Sequence, residues 1–516
     1  MGKKIYKTCG RVIAIVAVIL CCFSAKASTV RVLIGDLWYV LDESKLTAAV
    51  VREELEEGDD ALVYNNAPRN DQYLNLVGDI EIPKRVSYKG SKYTVTSIAP
   101  FAFYRARNLT SVTIANTVTN IGAEAFCYCS GLKKVKIRDA VDVVIQRLAF
   151  SNCTSLTSII LPSRLKYMGL DAFSNCKALE SVTWNAKNCE YWCWISAEEG
   201  DLDGITSYDQ VSAFRGCENI SSFVFGEEVE TIPNGLLCYD GYNKHFSKIK
   251  EIVIPNSVTS IGYGAFTGCD SLCNLVIGES LSNIGEIFSK IIGQPFSCKN
   301  LESITVNEFN KNFDSRNNCN AIIETETNTL RVGSQNTIIP SSVTSIGDMA
   351  FYYCSGLKSI KIPSSVTSIG DMAFYYCSGL ESIKIPSSVT SIGSYAFYPC
   401  YSLKSVYTDI LRPEKVELSD AAFNYYKGVS LHVPRGTAER YRAADGWRNF
   451  HKIVEDMING DINGDEITDV SDVVAISNHV LGDVGTTIDS VIGDVNGSGA
   501  IDVADVVTLA NYVLGE

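Results

Sequence analysis

The sequence predicts an α/β repeat solenoid, with one short strand and one short helix in each unit of about 23 residues, followed by a small all-α module on two acidic loops. Two observations carry this expectation. Ser341 to Pro363 reads SSVTSIGDMAFYYCSGLKSIKIP, and Ser364 to Pro386 repeats it with a single change, Lys358 to Glu381. Near the C-terminus, Gly460-Asp461-Ile462-Asn463 returns as Gly493-Asp494-Val495-Asn496, 33 residues later.

The repeat explains its own shape. In Leu357-Lys358-Ser359-Ile360-Lys361-Ile362, apolar Ile360 and Ile362 alternate with polar Ser359 and Lys361, the period of a half-buried strand. Pro363 ends the ladder by removing a donor. Val366 and Ile369 anchor the return, and Gly370 turns the chain into a stretch where Ala373, Phe374 and Cys377 face inward at helical spacing. Leu380 opens the next strand. No unit buries its apolar side alone, so stacked neighbours create the core. Phe351, Phe374 and Phe397 keep the 23-residue spacing, as do Phe103 and Phe126, and Phe150 and Phe173.

The string I-G-x-x-A-F-x-x-C-x-x-L-x-S-I-x-I-P resembles the BspA-type leucine-rich-repeat family of bacterial surface proteins over roughly Ser97 to Tyr407. Asn185 to Val211 and Asn307 to Asn336 read as insertions or degenerate units. The resemblance implies extracellular adhesion or recognition and names no ligand. Residues 28–96, with a strand-like run at Val30 to Ile34 and a Lys89-Gly90 turn, are expected to cap the solenoid of 97–410. Leu431-His432-Val433-Pro434 with Tyr441, Trp447 and Phe450 closes it over 411–456, leaving 457–516 as the terminal module.

Residues 1–27 read as a secretory signal: Lys3, Lys4, Lys7 and Arg11, then apolar Val12 to Phe23, then Ala25-Lys26-Ala27. The apolar run is shorter than the ~20 residues needed to span a bilayer, and no other segment is apolar enough. Five cations fewer, on a net charge of −14, leave −19 for the mature chain. Nucleic acid and anionic membranes are poor partners for such a chain. Of 18 cysteines, Cys9, Cys21 and Cys22 fall in the signal. Cys129, Cys153, Cys176, Cys217, Cys269, Cys298, Cys354, Cys377 and Cys400 share one repeat position, the role of a small buried filler. Disulfides remain open for Cys127, Cys189, Cys193, Cys238, Cys273 and Cys319.

Each acidic loop spans twelve residues with oxygen donors at positions 1, 3, 5, 9 and 12. These are Asp461, Asn463, Asp465, Asp469 and Asp472, then Asp494, Asn496, Ser498, Asp502 and Asp505. The carbonyl at position 7, Ile467 or Ala500, adds another. Calcium takes six to eight oxygens from a flexible loop, so two Ca2+ sites are expected. The doublet, each loop followed by an amphipathic helix, resembles type I dockerins, which implies calcium-dependent folding and a cohesin-type partner. The resemblance implies partner contacts at Val470, Ser471, Val503 and Ala504. Glu466 replaces the expected turn glycine, Ile467 sits one place earlier than Ile501 does, and Ser498 is neutral, so the two loops depart from the pattern differently.

No catalytic motif accompanies these features. His245, His432, His451 and His479 are scattered, without H-E-x-x-H or G-x-S-x-G, so the chain is expected not to be an enzyme. The expected function is a secreted or cell-surface binding protein docked to a cohesin-bearing, polysaccharide-degrading assembly. The alternatives are an adhesin with a calcium-stabilised tail and a component associated with glycoside hydrolases. Two surfaces could meet a protein or glycan ligand. One is the aromatic cluster Trp184, Tyr191, Trp192 and Trp194, which also suits core packing, and the other is the strand face with Ser359, Lys361, Ser382, Lys384, Ser405 and Tyr407.

Overall fold

The computed structural model describes residues 29–52, 76–139, 141–191, 212–238, 246–262, 265–266, 268–284, 300–419, 421–423, 428–457, 460–463, 468–482, 488, 490–496 and 498–514. The chain divides into two compact units, the first built mainly on residues up to Leu179 and the second mainly on Glu218–Glu516.

In the first unit, Thr29–Ile34, Leu37–Asp42 and Thr47–Val51 form an antiparallel meander. Its last strand pairs parallel with Ser91–Ile98, which passes the ladder to Asn120–Ile121, Val143–Ile145 and Leu165–Met168. A second parallel sheet runs Gly78–Ile82, Leu109–Ile114, Lys134–Ile137, Ser158–Leu161. Its alternation is that of the sequence: Val112, Val135 and Ile159 sit in register and are buried, while Lys134, Lys136 and Ile160 face outward.

The second unit continues the pattern with parallel sets such as Glu251–Val253, Asn274–Ile277 and Ser303–Val306. The degenerate stretch after Asn307 proves to be a small antiparallel sheet, Phe313–Asp314, Ala321–Glu324 and Thr329–Gly333. Its last strand restarts the parallel ladder with Ser345–Ile346, Ser368–Ile369 and Ser391–Ile392. Gly333 is required there, because a Cβ would lie 2.1 Å from the Phe351 ring.

The short helix expected in each unit is replaced by tight turns. Met349, Tyr353, Met372, Tyr376 and Tyr395 all have φ between 54° and 58°, which breaks helical continuity every few residues. A left-handed L-residue costs roughly 1–2 kcal/mol, so something must offset it. Stacking does: Met372, Phe374 and Tyr376 donate their N–H groups to Ser394, Ala396 and Tyr398 of the next coil at 2.8, 2.7 and 3.2 Å. Ala373, Tyr375 and Cys377 bond back within their own coil. Alternate amides thus serve alternate coils, which a regular helix cannot do.

The core is a pair of aromatic columns. Phe103, Phe126, Phe150, Phe173 and Phe214 stack at 4.7 to 5.6 Å in the first unit, and Phe351, Phe374, Phe397 and Phe423 at 4.8 to 5.1 Å in the second. Beside them run the repeat cysteines. Sγ of Cys129, Cys153, Cys176, Cys217, Cys377 and Cys400 each donates to the carbonyl of a Phe one coil earlier, at 3.1 to 3.3 Å. Cysteine is thus a filler with a donor. None of the described cysteines forms a disulfide, and Cys193 and Cys298 lie outside the described residues.

Burial pushes the Cys354 and Cys400 thiols up to about 12. Thiolates are the reactive form, so these thiols should resist iodoacetamide equally at pH 7 and pH 9 until the chain unfolds, as read by mass spectrometry of alkylated peptides. The sign for stability follows. The folded thiols keep protons that the unfolded chain gives up above its ordinary value near 9, so their contribution is complete below pH 9 and falls as pH rises towards 12.

The C-terminal edge is closed by strands Ser405–Thr408, Ser430–Pro434 and Lys452–Met457, and by helix α1 (Ala438–Ala443). Tyr441, fully buried, donates its hydroxyl to the Ile410 carbonyl at 2.7 Å beside buried Trp447.

Candidate metal centre and docking faces

The terminal module carries helices α2 (Val470–Val480), α3 (Ser490–Gly493) and α4 (Val503–Leu514). Its core repeats at the same 33-residue offset as the loops: Ile462 with Val495 and Ile476 with Leu509 are the buried residues, flanked by Val473, Ile488, Ile501 and Val506. Two copies of one half-module therefore share one small core.

The second loop is the more completely defined. Asp494 accepts from the Ser498 and Gly499 amides at 2.8 Å each, and Asn496 Oδ1 also accepts from Ser498. Gly499 has φ +92°, a turn open to glycine at loop position 6. Asp502 accepts from the Ala504 amide at 2.7 Å, and the buried Asp505 ties both ends together, accepting from Asn496 at 2.9 Å and Asp502 at 2.8 Å. The first loop shows the same ties. Asp472 accepts from Ile462, Asn463 and Asp469, and with Asp469 makes a reciprocal cap on α2. Asp465, Glu466 and Ile467 lie outside the described residues.

Electrostatics distinguish the members of this loop. The Ser471 hydroxyl holds the Asp469 carboxyl below the usual range, whereas burial pushes Asp472 above it. A buried carboxylate that resists ionisation is one a cation would relieve. Among the described residues no group of three His, Cys, Asp or Glu side chains could hold a metal ion. The second loop's donors instead include amide, hydroxyl and carbonyl oxygens. That all-oxygen set, with a glycine at the sharp turn, fits calcium better than a softer metal.

Val470, Ser471, Val503 and Ala504 are all exposed. The structure extends these positions into two matching apolar stripes, Val470, Val474 and Leu481 on and just after α2, and Val503, Val507 and Leu514 on α4, each 53% exposed or more. Val474, Leu481, Val507 and Leu514 escape a reading of loop positions alone. Helical spacing of i and i+4 from Val470 and Val503 is the signal that finds Val474 and Val507.

Comparison with known families accounts for both parts. The model for the BspA type leucine rich repeat region matches six copies over residues 91–193, 237–328 and 331–439, more than half of the chain. The chain belongs to the BspA-type leucine-rich-repeat family. A dockerin type I domain follows, matched over residues 459–514. Dockerin type I domains generally bind calcium, and both families are typically non-catalytic modules.

Among solved structures, this BspA-type chain is similar to a leucine rich cell surface protein from Faecalibacterium prausnitzii (24% identity, 84% of this chain and 96% of that one, TM-score 0.45). It is also similar to a leucine-rich repeat protein from Bacteroides ovatus (23% identity, 82% and 98%, TM-score 0.40). The pneumococcal vaccine antigen PcpA is a more distant match (14% identity, 83% and 99%, TM-score 0.39). No curated protein matches. Among the described residues no helix is long and apolar enough to cross a membrane.

The two candidate ligand surfaces of the BspA-type solenoid fare differently. Trp184 is fully buried against Phe223, so it is a core residue and no part of an exposed aromatic platform. Trp192 and Trp194 lie outside the described residues, as does the Tyr191 side chain. On the strand face, Ser359, Lys361 and Lys384 are exposed and Ser382, Ser405 and Tyr407 half-buried. The Tyr407 ring stacks on His432 at 4.4 Å, and His432 Nδ1 lies 2.8 Å from Asp456, so this histidine is held by neighbours.

Proposed function

We propose that this is a secreted or cell-surface, non-catalytic binding protein whose solenoid recognises a ligand and whose dockerin docks, with calcium, to a cohesin-type partner in a polysaccharide-degrading assembly. The observation that carries the docking is the duplicated apolar stripe: Val474 and Val507 are each 53% exposed at equivalent places on helices whose other faces share one core. An apolar stripe left open on so small a module suits a partner's surface.

Two Ca2+ ions would be held by Asp461, Asn463, Asp465, the Ile467 carbonyl, Asp469 and Asp472, and by Asp494, Asn496, Ser498, the Ala500 carbonyl, Asp502 and Asp505. Calcium would neutralise carboxylates that the fold crowds at each loop. The chain's own part is to hold each loop shut, which Asp472 and Asp505 do through loop amides, and to start each helix where the stripe begins. The domain limits we propose are 28–96 for the N-terminal cap, 97–410 for the solenoid, 411–456 for its closing cap and 457–516 for the dockerin.

The test is binding of purified cohesin domains to the full chain by calorimetry, with calcium or with EDTA. Binding in calcium only is expected, and the double change Val474→Asp with Val507→Asp should weaken it by at least about 100-fold, since two buried charges without partners cost several kcal/mol. A single change should cost far less if either stripe can serve. Equal binding in EDTA would exclude the calcium-dependent mode, and equal binding by the double variant would exclude the stripes.

A further inference from the structure

The last repeats and the dockerin meet through groups that neither the repeat pattern nor the loop pattern requires. Arg435, following the strand Ser430–Pro434, donates from Nη1 to the Asp494 carbonyl at 2.9 Å. Lys384, outward on Ser382–Ile385, stands with Nζ 5.2 Å from the centre of the Tyr512 ring on α4 and 2.9 Å from Asp409 Oδ2. The Asp409 side chain is 12% exposed, with Oδ1 buried. The Tyr512 phenol faces that carboxylate. Burial first, and Asp409 next, push the phenol well above its ordinary value. The burial is on the side of Tyr512 and Asp409, while Lys384 closes the contact from its exposed end.

We propose that Lys384, Asp409 and Arg435 form a seat on the solenoid for the second half of the chain's own dockerin, Arg435 holding its loop at Asp494 and Lys384 and Asp409 holding helix α4 at Tyr512, with the apolar stripe of α4 turned outward. Three further observations support the seat. The first is the tether: Met457 ends the closing strand and Gly460 already belongs to the module, so only two residues separate them. A tether this short gives a high effective concentration, at which a few contacts suffice.

The second is direction around the helix. Tyr512 lies nine positions after Val503, and at about 100° per residue that places it about half a turn from Val503, on the side away from Val507 and Leu514. Seat and stripe therefore use opposite sides of α4, and seating leaves the stripe free.

The third is asymmetry. The seat uses Asp494 and Tyr512, both from the second copy. At the equivalent places the first copy carries Asp461 and His479, which offers no phenol. The two halves of the dockerin are thus alike towards an outside partner and unlike towards the solenoid. The end of the strand face at Lys384 is in consequence partly covered by the chain itself, which narrows the surface left for a ligand.

The inference rests on the calcium reading only in that α4 must be folded. Hydrogen exchange of the full chain, with calcium and with EDTA, compares wild type with Lys384→Ala plus Arg435→Ala, changes that leave the dockerin core untouched. In calcium the double variant is expected to exchange several-fold faster over residues 509–514 and 408–411, while a parallel titration shows unchanged calcium stoichiometry. Unchanged exchange with normal calcium binding would overturn the seat. Absence of calcium binding in both proteins would overturn the calcium reading instead, and the wild type against variant comparison would still decide the seat.

Discussion

Replacing Asp505 by alanine is expected to unfold the dockerin and to lower calcium affinity by about 100-fold or more, beyond the roughly 10–100-fold cost of altering an outer-shell group. Asp505 is fully buried and accepts two backbone hydrogen bonds, from Asn496 and Asp502. Alanine would leave both amides without their acceptor, at about 1–3 kcal/mol each. The module has few reserves to absorb this, because its buried core is Ile462, Ile476, Val495 and Leu509. A core of that size supplies no more than about 3–5 kcal/mol, so the loss is comparable to the whole. Asp472→Ala should behave alike, since Asp472 gathers three amides. Far-UV circular dichroism of the full chain, followed through calcium addition, reads the missing helix, and a wild-type helical gain in either variant would refute the role assigned to these carboxylates.

Phe374→Ala is expected to destabilise the second unit by about 3–5 kcal/mol, the usual cost of deleting a buried aromatic side chain. Its ring lies between Phe351 at 4.9 Å and Phe397 at 5.1 Å, nearly parallel to both. The consequence should go beyond a lower midpoint. A solenoid is held coil to coil, so a hole in one layer weakens the link between the coils on either side. Urea denaturation followed by hydrogen exchange should show the coils around residue 374 opening ahead of their neighbours. Uniform loosening of the whole unit would argue against nearest-neighbour stacking as the source of its stability.

What could be read from the sequence was whatever recurs. Phe374 and Cys377 return every 23 residues, and a residue that returns at one place in a stack meets the same surroundings each time, so its burial follows from its spacing. The strands followed from alternation for the same reason. The tight turns did not, because Ala373, Phe374 and Cys377 suit a helix by position, and only the demand of the next coil for N–H donors selects left-handed Met372 and Tyr376 instead. The sheet from Phe313 to Gly333 occurs once and offered no period to find. For Trp184 the sequence left core packing and an aromatic platform both open, and its place at the end of Ser181–Trp184 buries it, as core packing requires.

In the module, the duplication was legible, because the 33-residue offset of the loops is local and the core Ile462, Ile476, Val495 and Leu509 follows it. The stripes needed the helices, and the contacts of Tyr512 with Lys384 and Asp409 needed the tertiary structure, because residues more than a hundred positions apart share no pattern. Charge followed the same division. A net −14 describes the chain as a whole, and does not reveal that a single carboxylate such as Asp472 is buried.

We propose that calcium completes the module in which the leucine-rich-repeat solenoid ends. Isothermal titration of calcium into the chelator-treated full chain tests it most directly. Two ions bound per chain are expected, falling to one or none when Asp472 and Asp505 are replaced singly; no calcium binding, or binding unchanged by both replacements, would contradict it.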